Sequence, residues 1–199
     1  MKKIVTTILG IAVVIGAGVG LWIALDANPA AATVGNTKIT VSQLNKGVNE
    51  IIAERKTVST TGMQLAFGSA LQAQELNFYI ISTLLEKAAA ENGVVVTPAQ
   101  VTTRAASIMQ QEGSAAKLKT GEVSAGIAAT EFPGYVKEIL TVEGLTNVVK
   151  QKGVTEANSG TAVQGIVRDL AKRIGVKINP KYGTWDSNGV SVTPPTGTK

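Results

Sequence analysis

The stretch LQAQELNFYIISTLLEKAAAENG, from Leu71 to Gly93, decides the fold of this chain. Apolar side chains recur along it at helical spacing, and two aromatic residues widen the apolar surface until it covers most of the helix. A helix that is apolar nearly all round must be buried by other helices. Gly93 marks its end, because glycine adopts the left-handed cap conformation without a clash. We therefore predict a mainly helical domain packed around this element. Its apolar rows are Leu76, Ile80, Leu84 and Ala88, and next to them Ile81, Leu85 and Ala89.

The composition excludes several kinds of catalysis. The 199 residues include no cysteine and no histidine, which removes the thiol nucleophile, the thiolate metal site, and the commonest general base and metal ligand. Serine–histidine and cysteine–histidine catalysis are excluded, and a zinc enzyme is disfavoured. The candidate carboxylates form no spaced pair, and each is expected on a solvated helix face. These are Glu75, Glu86, Glu131, Glu138 and Asp169. We expect no enzyme, no cofactor and no metal site.

The basic balance of the chain does not predict nucleic-acid binding. The net charge is +5 and the sequence pI is near 9.5. Basic residues crowd the C-terminal quarter, but no stacking aromatics or known motif accompany them. We interpret them as a solvated helix face that tolerates an anionic membrane or cell wall. They are Lys150, Lys152, Arg168, Lys172, Arg173, Lys177 and Lys181.

Residues 1–25 have the pattern of a targeting segment. Lys2 and Lys3 precede an uncharged, largely apolar run from Ile4 to Leu25. That run exceeds the usual signal-peptide core of about 7–15 residues and approaches the roughly 20 that a membrane helix needs. The lysines should stay cytoplasmic, so the rest of the chain should be extracytoplasmic. Small residues near Ala27 and at Ala32 would suit signal peptidase, but we favour an uncleaved membrane anchor over a cleaved signal and a secreted product.

Beyond the anchor we predict a linker over 26–32, a domain over 33–186 and a disordered tail over 187–199, which is rich in Gly, Ser, Thr and Pro. A hairpin should turn at Gly35-Asn36 and pair with a short strand over 176–179. The two ends of the domain would then meet in one small sheet.

Several signals set the helix boundaries between these ends. Capping boxes at Thr40 and Thr97 each start a helix, and Pro133 opens another. The last helix is predicted from Thr161 to Ile174. Residues 114–129 are rich in alanine, serine and glycine and contain few large apolar residues, so we expect a poorly packed, mobile connection with at most one short helix.

The order of these elements resembles the SurA N-terminal-domain family, the peptide-binding part of extracytoplasmic chaperones of the SurA and PrsA type. The chain is most similar to short actinobacterial members without a prolyl-isomerase domain. It departs from many of them in lacking the lipoprotein cysteine. The best-matched residues are Val34, Gly35, Ile39 and Thr40, then Leu84, Ala88, Gly93, Val94 and Thr97-Pro98-Ala99-Gln100-Val101, and finally Asn179-Pro180, Tyr182-Gly183 and Trp185-Asp186.

The resemblance implies a holdase that binds unfolded or newly exported polypeptides in an apolar cradle without covalent chemistry, and the anchor predicted over residues 1–25 would tether it to the membrane. The alternative is a structural or partner-docking protein of the cell envelope. The two differ in one respect: a holdase needs an apolar groove left open in the folded state. The expected cradle consists of large apolar residues outside the cleanest core rows. They are Met63, Leu65, Phe67, Phe78, Tyr79, Phe132 and Tyr135.

Overall fold

The computed structural model describes residues 28–196. The anchor predicted over residues 1–25 lies outside this range. Within residues 28–196, no helix is both long enough and apolar enough to cross a membrane. The elements in order are β1 (Ala30–Val34), β2 (Thr37–Thr40), α1 (Val41–Arg55), α2 (Gly68–Glu91), α3 (Pro98–Glu112), α4 (Ala115–Ala125), α5 (Phe132–Gln151), α6 (Glu156–Ile174), β3 (Val176–Ile178), β4 (Thr184–Asp186) and β5 (Ser191–Thr193).

Helix α2 is the centre of the fold, as the sequence predicts. Leu76, Ile80, Leu84 and Ala88 are fully buried. Helices α1, α5 and α6 and strands β1 and β5 all pack against α2. Gly93 follows its end with a φ of 70°, the left-handed conformation that glycine adopts at little cost. The prediction of a mainly helical domain around this element is confirmed.

A three-stranded antiparallel sheet joins the two ends of the domain. Its order is β2-β1-β3, so β1 is the central strand. The β1–β2 hairpin turns at Gly35-Asn36, and the Gly35 N–H donates to the carbonyl of Gly175 at 2.8 Å. Both the hairpin and its pairing with a C-terminal strand are confirmed.

The predicted linker over 26–32 is wrong at its C-terminal end. Ala30, Ala31 and Ala32 belong to β1 and are buried. Their small side chains allow the strand to lie directly against α2. A run of alanines suggests a linker only while its neighbours are unknown, because alanine contributes little to any local pattern.

The prediction of disorder from residue 187 is wrong for β5, which pairs with β4 in a second antiparallel sheet. The Val192 N–H donates to Oδ1 of Asn77 on α2 at 3.0 Å. Val190, just before the strand, is buried in the core. These contacts with α2 order a segment whose Gly, Ser and Thr content suggested a disordered tail.

The helix boundaries are otherwise close to the prediction, except at the start of α6. The connection over 114–129 contains one short helix, α4, as expected, but its buried Val123 shows that the segment is better packed than predicted. Helix α6 begins at Glu156, five residues before the predicted Thr161. Both capping residues are confirmed as N-caps, and Thr97 forms the full reciprocal box with Gln100.

Candidate functional site

An open cavity lies between α2 and α5, and we call it the central cavity. Its volume is about 270 Å³. Phe78 and Ile81 contribute from α2, Tyr135 from α5, and Ile127 from the loop after α4. The remaining lining residues are Gln74, Asn77, Ala125, Gly126, Glu131 and Glu138. The cavity is thus mostly apolar with a few polar groups, the usual composition of a binding site.

Two further cavities share lining residues with the central cavity. The α6 cavity, of about 500 Å³, shares Ile81 and lies against α6 and the turn between β4 and β5. The α4 cavity, of about 300 Å³, shares Ile127 and Tyr135 and lies between α4 and α5. We refer to the three together as the α2–α5 groove. They place a series of apolar depressions beside one another on the folded domain.

The seven residues predicted for the cradle divide into three sets. Phe78, Phe132 and Tyr135 line the groove. Met63, Leu65 and Phe67 precede α2 and line none of the three cavities of the groove. Phe67 is 69% exposed, with the Arg55 guanidinium 5.2 Å from its ring centre. Tyr79 points instead into a buried polar cluster. Whether any of them contacts a peptide stays a prediction.

Sequence reasoning missed several aliphatic residues that line the groove. The sequence pattern places Ile81 in a core row, and the predicted cradle does not include Ile127 or Ile139, but all three line the groove. The aromatic criterion overlooked them because aliphatic residues in a groove have the same periodicity as aliphatic residues in a core. The positions of Phe78 and Ile81, three apart on one helix face, were the available signal.

A buried acidic cluster lies behind the central cavity. Glu75 on α2 is only 1% exposed, and its side chain meets Glu131, which precedes α5. The Tyr79 hydroxyl donates to Glu131 Oε1. Glu75 Oε1 and Glu131 Oε2 are buried and make no hydrogen bond to the described residues. A proton shared between the two carboxyls would satisfy both oxygens.

Burial shifts the pKa values of Glu75 and Tyr79. The pKa of Glu75 is raised to about 9, mainly by burial and then by the neighbouring Glu131. Burial also raises the pKa of the Tyr79 hydroxyl. Glu75 is therefore protonated at neutral pH and can donate to Glu131. The expectation that Glu75 lies on a solvated face is wrong, and its four-residue spacing from Tyr79 on the same helix face was the missed signal.

Hydrogen bonds to α1 and α2 hold the loop after α4, which forms one wall of the central cavity. The Thr130 hydroxyl donates to Glu50 on α1 at 2.5 Å, and the Ala129 N–H donates to Glu54 at 2.8 Å. Gln74 on α2 donates to the carbonyl of Ala125 at 3.0 Å. Together with the Tyr79–Glu131 bond, these contacts tie the loop to α1 and α2. Within residues 28–196, no group of three or more acidic side chains is arranged to hold a metal ion.

Gly47 on α1 makes room for this cluster, so Gly47→Ala should destabilise the protein. A Cβ at this position would overlap Glu75 Oε1 and lie 2.8 Å from its Cδ and 2.5 Å from the Tyr79 hydroxyl. Overpacking of this kind costs about 1–3 kcal/mol, which exceeds the gain of roughly 1 kcal/mol in helix propensity. Urea unfolding measures the change. Gly165→Ala on α6 is the control, because its Cβ meets only the end of the Arg168 side chain. A Gly47→Ala variant as stable as this control would contradict the packing argument.

Comparisons with known proteins agree with the architecture. The family model described as the SurA-like N-terminal domain matches residues 1–146. The match includes α1 to α4 and most of α5, and thus every residue that lines the central cavity. No curated protein and no solved structure matched the chain. Since the family model covers about three quarters of the sequence, the chain belongs to the SurA-like N-terminal domain family, a chaperone-type family of non-catalytic domains.

Proposed function

We propose that this protein is an extracytoplasmic, membrane-tethered holdase that binds unfolded or newly exported polypeptides in the α2–α5 groove without covalent chemistry. The observation that carries the proposal is an apolar groove left open in the folded domain. Ile81, Ile127 and Tyr135 are not withdrawn into the core but line adjoining cavities. Covering such a surface with apolar side chains of a client is favourable because it removes both from water.

The extent of the groove suits an extended client better than a compact ligand. Its three cavities share lining residues along α2 and α5. Successive side chains of an extended segment could occupy successive depressions, and the polar groups at the rim could bond its backbone. Membrane tethering rests on the sequence of residues 1–25 alone, and it would keep the groove close to chains that emerge from the membrane.

Two glycines allow the groove to be filled without disturbing the fold. Gly160 lines the α6 cavity and Gly121 lines the α4 cavity. A Cβ at either position meets no atom within 4 Å. We expect Gly160→Gln or Gly121→Gln to weaken client binding by about fivefold, equivalent to ~1 kcal/mol, because a polar side chain would occupy space that apolar client groups need. Light scattering should measure how much full-length protein suppresses aggregation of a chemically unfolded, unrelated protein.

Gly165→Gln is the matched control, because it makes the same change on α6 outside the three cavities. All three variants should be at least as stable as the wild type, since glycine is a poor helix former. If the wild type does not suppress aggregation at any ratio up to equimolar, the holdase proposal fails and a docking protein with one specific partner becomes the better explanation. Equal activity of all variants would show that the client does not occupy the α4 or α6 cavity.

A further inference from the structure

The lining of the central cavity is acidic, although the chain as a whole is basic. Glu131 and Glu138 both line it, and none of its lining residues is Lys or Arg. Gln74 and Asn77 supply neutral polar groups on the opposite wall. The net charge of the chain is +5. The local field at the cavity therefore favours a cation even though the overall charge does not.

Glu138 is the carboxylate with capacity for a new partner. Glu131 is already engaged by Tyr79 and Glu75 in the buried cluster. Glu138 is half-buried and accepts from the Ser82 hydroxyl, and a carboxylate has about four acceptor sites. Lys137, the preceding residue on the same helix, is paired with Glu86 at 2.5 Å. Glu138 is therefore partly desolvated with no basic partner among its bonded neighbours.

We propose that the central cavity selects client segments in which a large apolar side chain lies next to a lysine or arginine. This inference rests on the peptide-binding function proposed above. The apolar side chain would enter between Phe78, Ile127 and Tyr135, and the cation would pair with Glu138. The cavity volume of about 270 Å³ is below the range of sites that enclose drug-sized ligands, so it suits one side chain. A cation would replace the hydration that Glu138 has lost, whereas an acidic neighbour would be repelled.

The test uses full-length protein and three fluorescently labelled peptides. They share one apolar sequence and carry lysine, glutamine or glutamate beside the apolar residues. Fluorescence anisotropy at low ionic strength gives each dissociation constant. We expect the lysine peptide to bind about fivefold more tightly than the glutamine peptide, as for a partly screened ion pair, and the glutamate peptide to bind most weakly. Added salt should reduce the difference.

Glu138→Gln assigns the preference to one residue. The variant should bind the lysine and glutamine peptides equally while keeping the wild-type affinity for the glutamine peptide. Glu143→Gln is the matched control, because it removes the same charge from the same helix at a residue that does not line the cavity. This control should keep the preference for lysine. Equal binding of all three peptides by the wild type would overturn the selectivity and leave the holdase function standing, whereas no binding of any peptide would overturn both.

The pH dependence provides a second readout. Burial raises the pKa of Glu138 to about 7; the charge of Glu86 on α2 adds to the effect and the Ser82 hydrogen bond opposes it. Glu131 faces the same cavity from the start of α5. Because the carboxyl gains its charge as pH rises through about 7, the lysine preference of the wild type should be larger at pH 8 than at pH 6. A preference that does not change with pH, or that survives in Glu138→Gln, would show that another group binds the cation.

Discussion

A chain that begins at Thr33 should not fold cooperatively, whereas one that begins at Asn28 should. The difference is five residues, of which Ala30, Ala31 and Ala32 form the first part of β1. Because β1 lies between β2 and β3, removal of these alanines takes pairing partners away from both neighbouring strands. Far-ultraviolet circular dichroism during urea unfolding would compare the two fragments.

The size of the effect follows from the groups that lose partners. Ala31 and Ala32 are both 0% exposed. The carbonyl of Ala31 accepts from the Asn179 N–H at 2.9 Å, and the carbonyl of Pro29 accepts from the Val41 N–H at 2.8 Å at the start of α1. Each donor left without a partner costs up to about 1–3 kcal/mol where water cannot reach it. The truncation also removes the pairing of Ala32 with Ile39 and Ile178, and together these losses approach the 5–15 kcal/mol by which a typical domain is stable.

The control is a chain that begins at Asn28 and carries Asn158→Ala, an exposed change near the start of α6. It should unfold within about 0.5 kcal/mol of the Asn28 fragment without the substitution. A cooperative transition of the Thr33 fragment within about 1 kcal/mol of the longer fragment, well below the cost of two orphaned groups, would contradict the prediction. The result also bears on processing, since cleavage after Ala32 would remove three of the five residues of the central strand, and cleavage near Ala27 would not.

The parts of the fold that depend on local chemistry could be predicted from the sequence. The apolar rows of α2 required burial by other helices, Thr97 with Gln100 required a helix start, and Gly35-Asn36 required a tight turn. Each of these signals lies within a few residues of the feature it predicts. The pairing of β1 with β3 could also be predicted, because the short strand at the C-terminal end had only one available partner.

The wrong predictions concern segments ordered by distant residues. Strand β5 depends on Asn77, 115 residues away along the chain. Ala30–Ala32 become core only because α2 lies beneath them. Neither the polar composition around β5 nor the run of alanines contains that information. Local sequence therefore gave the opposite interpretation of both segments.

The candidate site was harder to predict than the fold because it forms between elements. The size of Phe78 and Tyr135 suggests that they belong to a cradle, and the structure brings both to the central cavity. The pairing of Glu75 with Glu131 could not be anticipated, since 56 positions separate them in the sequence. Each carboxylate taken alone has the pattern of a solvated helix residue. Glu75 is a buried acid only because the folded chain brings it into contact with Glu131 beneath the groove.

Replacing Glu75 by glutamine should stabilise the protein at alkaline pH and flatten its dependence on pH. The folded state holds the pKa of Glu75 at about 9, against an ordinary value of 4.5. Between these values the unfolded chain releases the proton while the folded chain retains it, so the free energy of unfolding falls as pH rises. The contribution is fully present below about pH 4.5 and is lost by about pH 9. Glutamine keeps an N–H donor for Glu131 but cannot ionise.

At pH 8 we expect Glu75→Gln to exceed the wild type by about 1–3 kcal/mol, since each unit of pKa shift corresponds to about 1.4 kcal/mol and relaxation reduces the total. At pH 5 the two should differ by less. Urea unfolding at several pH values measures the free energy of unfolding of both proteins.

Glu112→Gln, a change at an exposed residue at the end of α3, controls for the loss of one negative charge. Glu138 and Glu122 also have raised pKa values and contribute slopes of the same sign, but they are present in every variant and cancel in the comparison. Parallel curves for the wild type and Glu75→Gln would mean that Glu75 is ionised in the folded state and that the pair beneath the groove shares no proton.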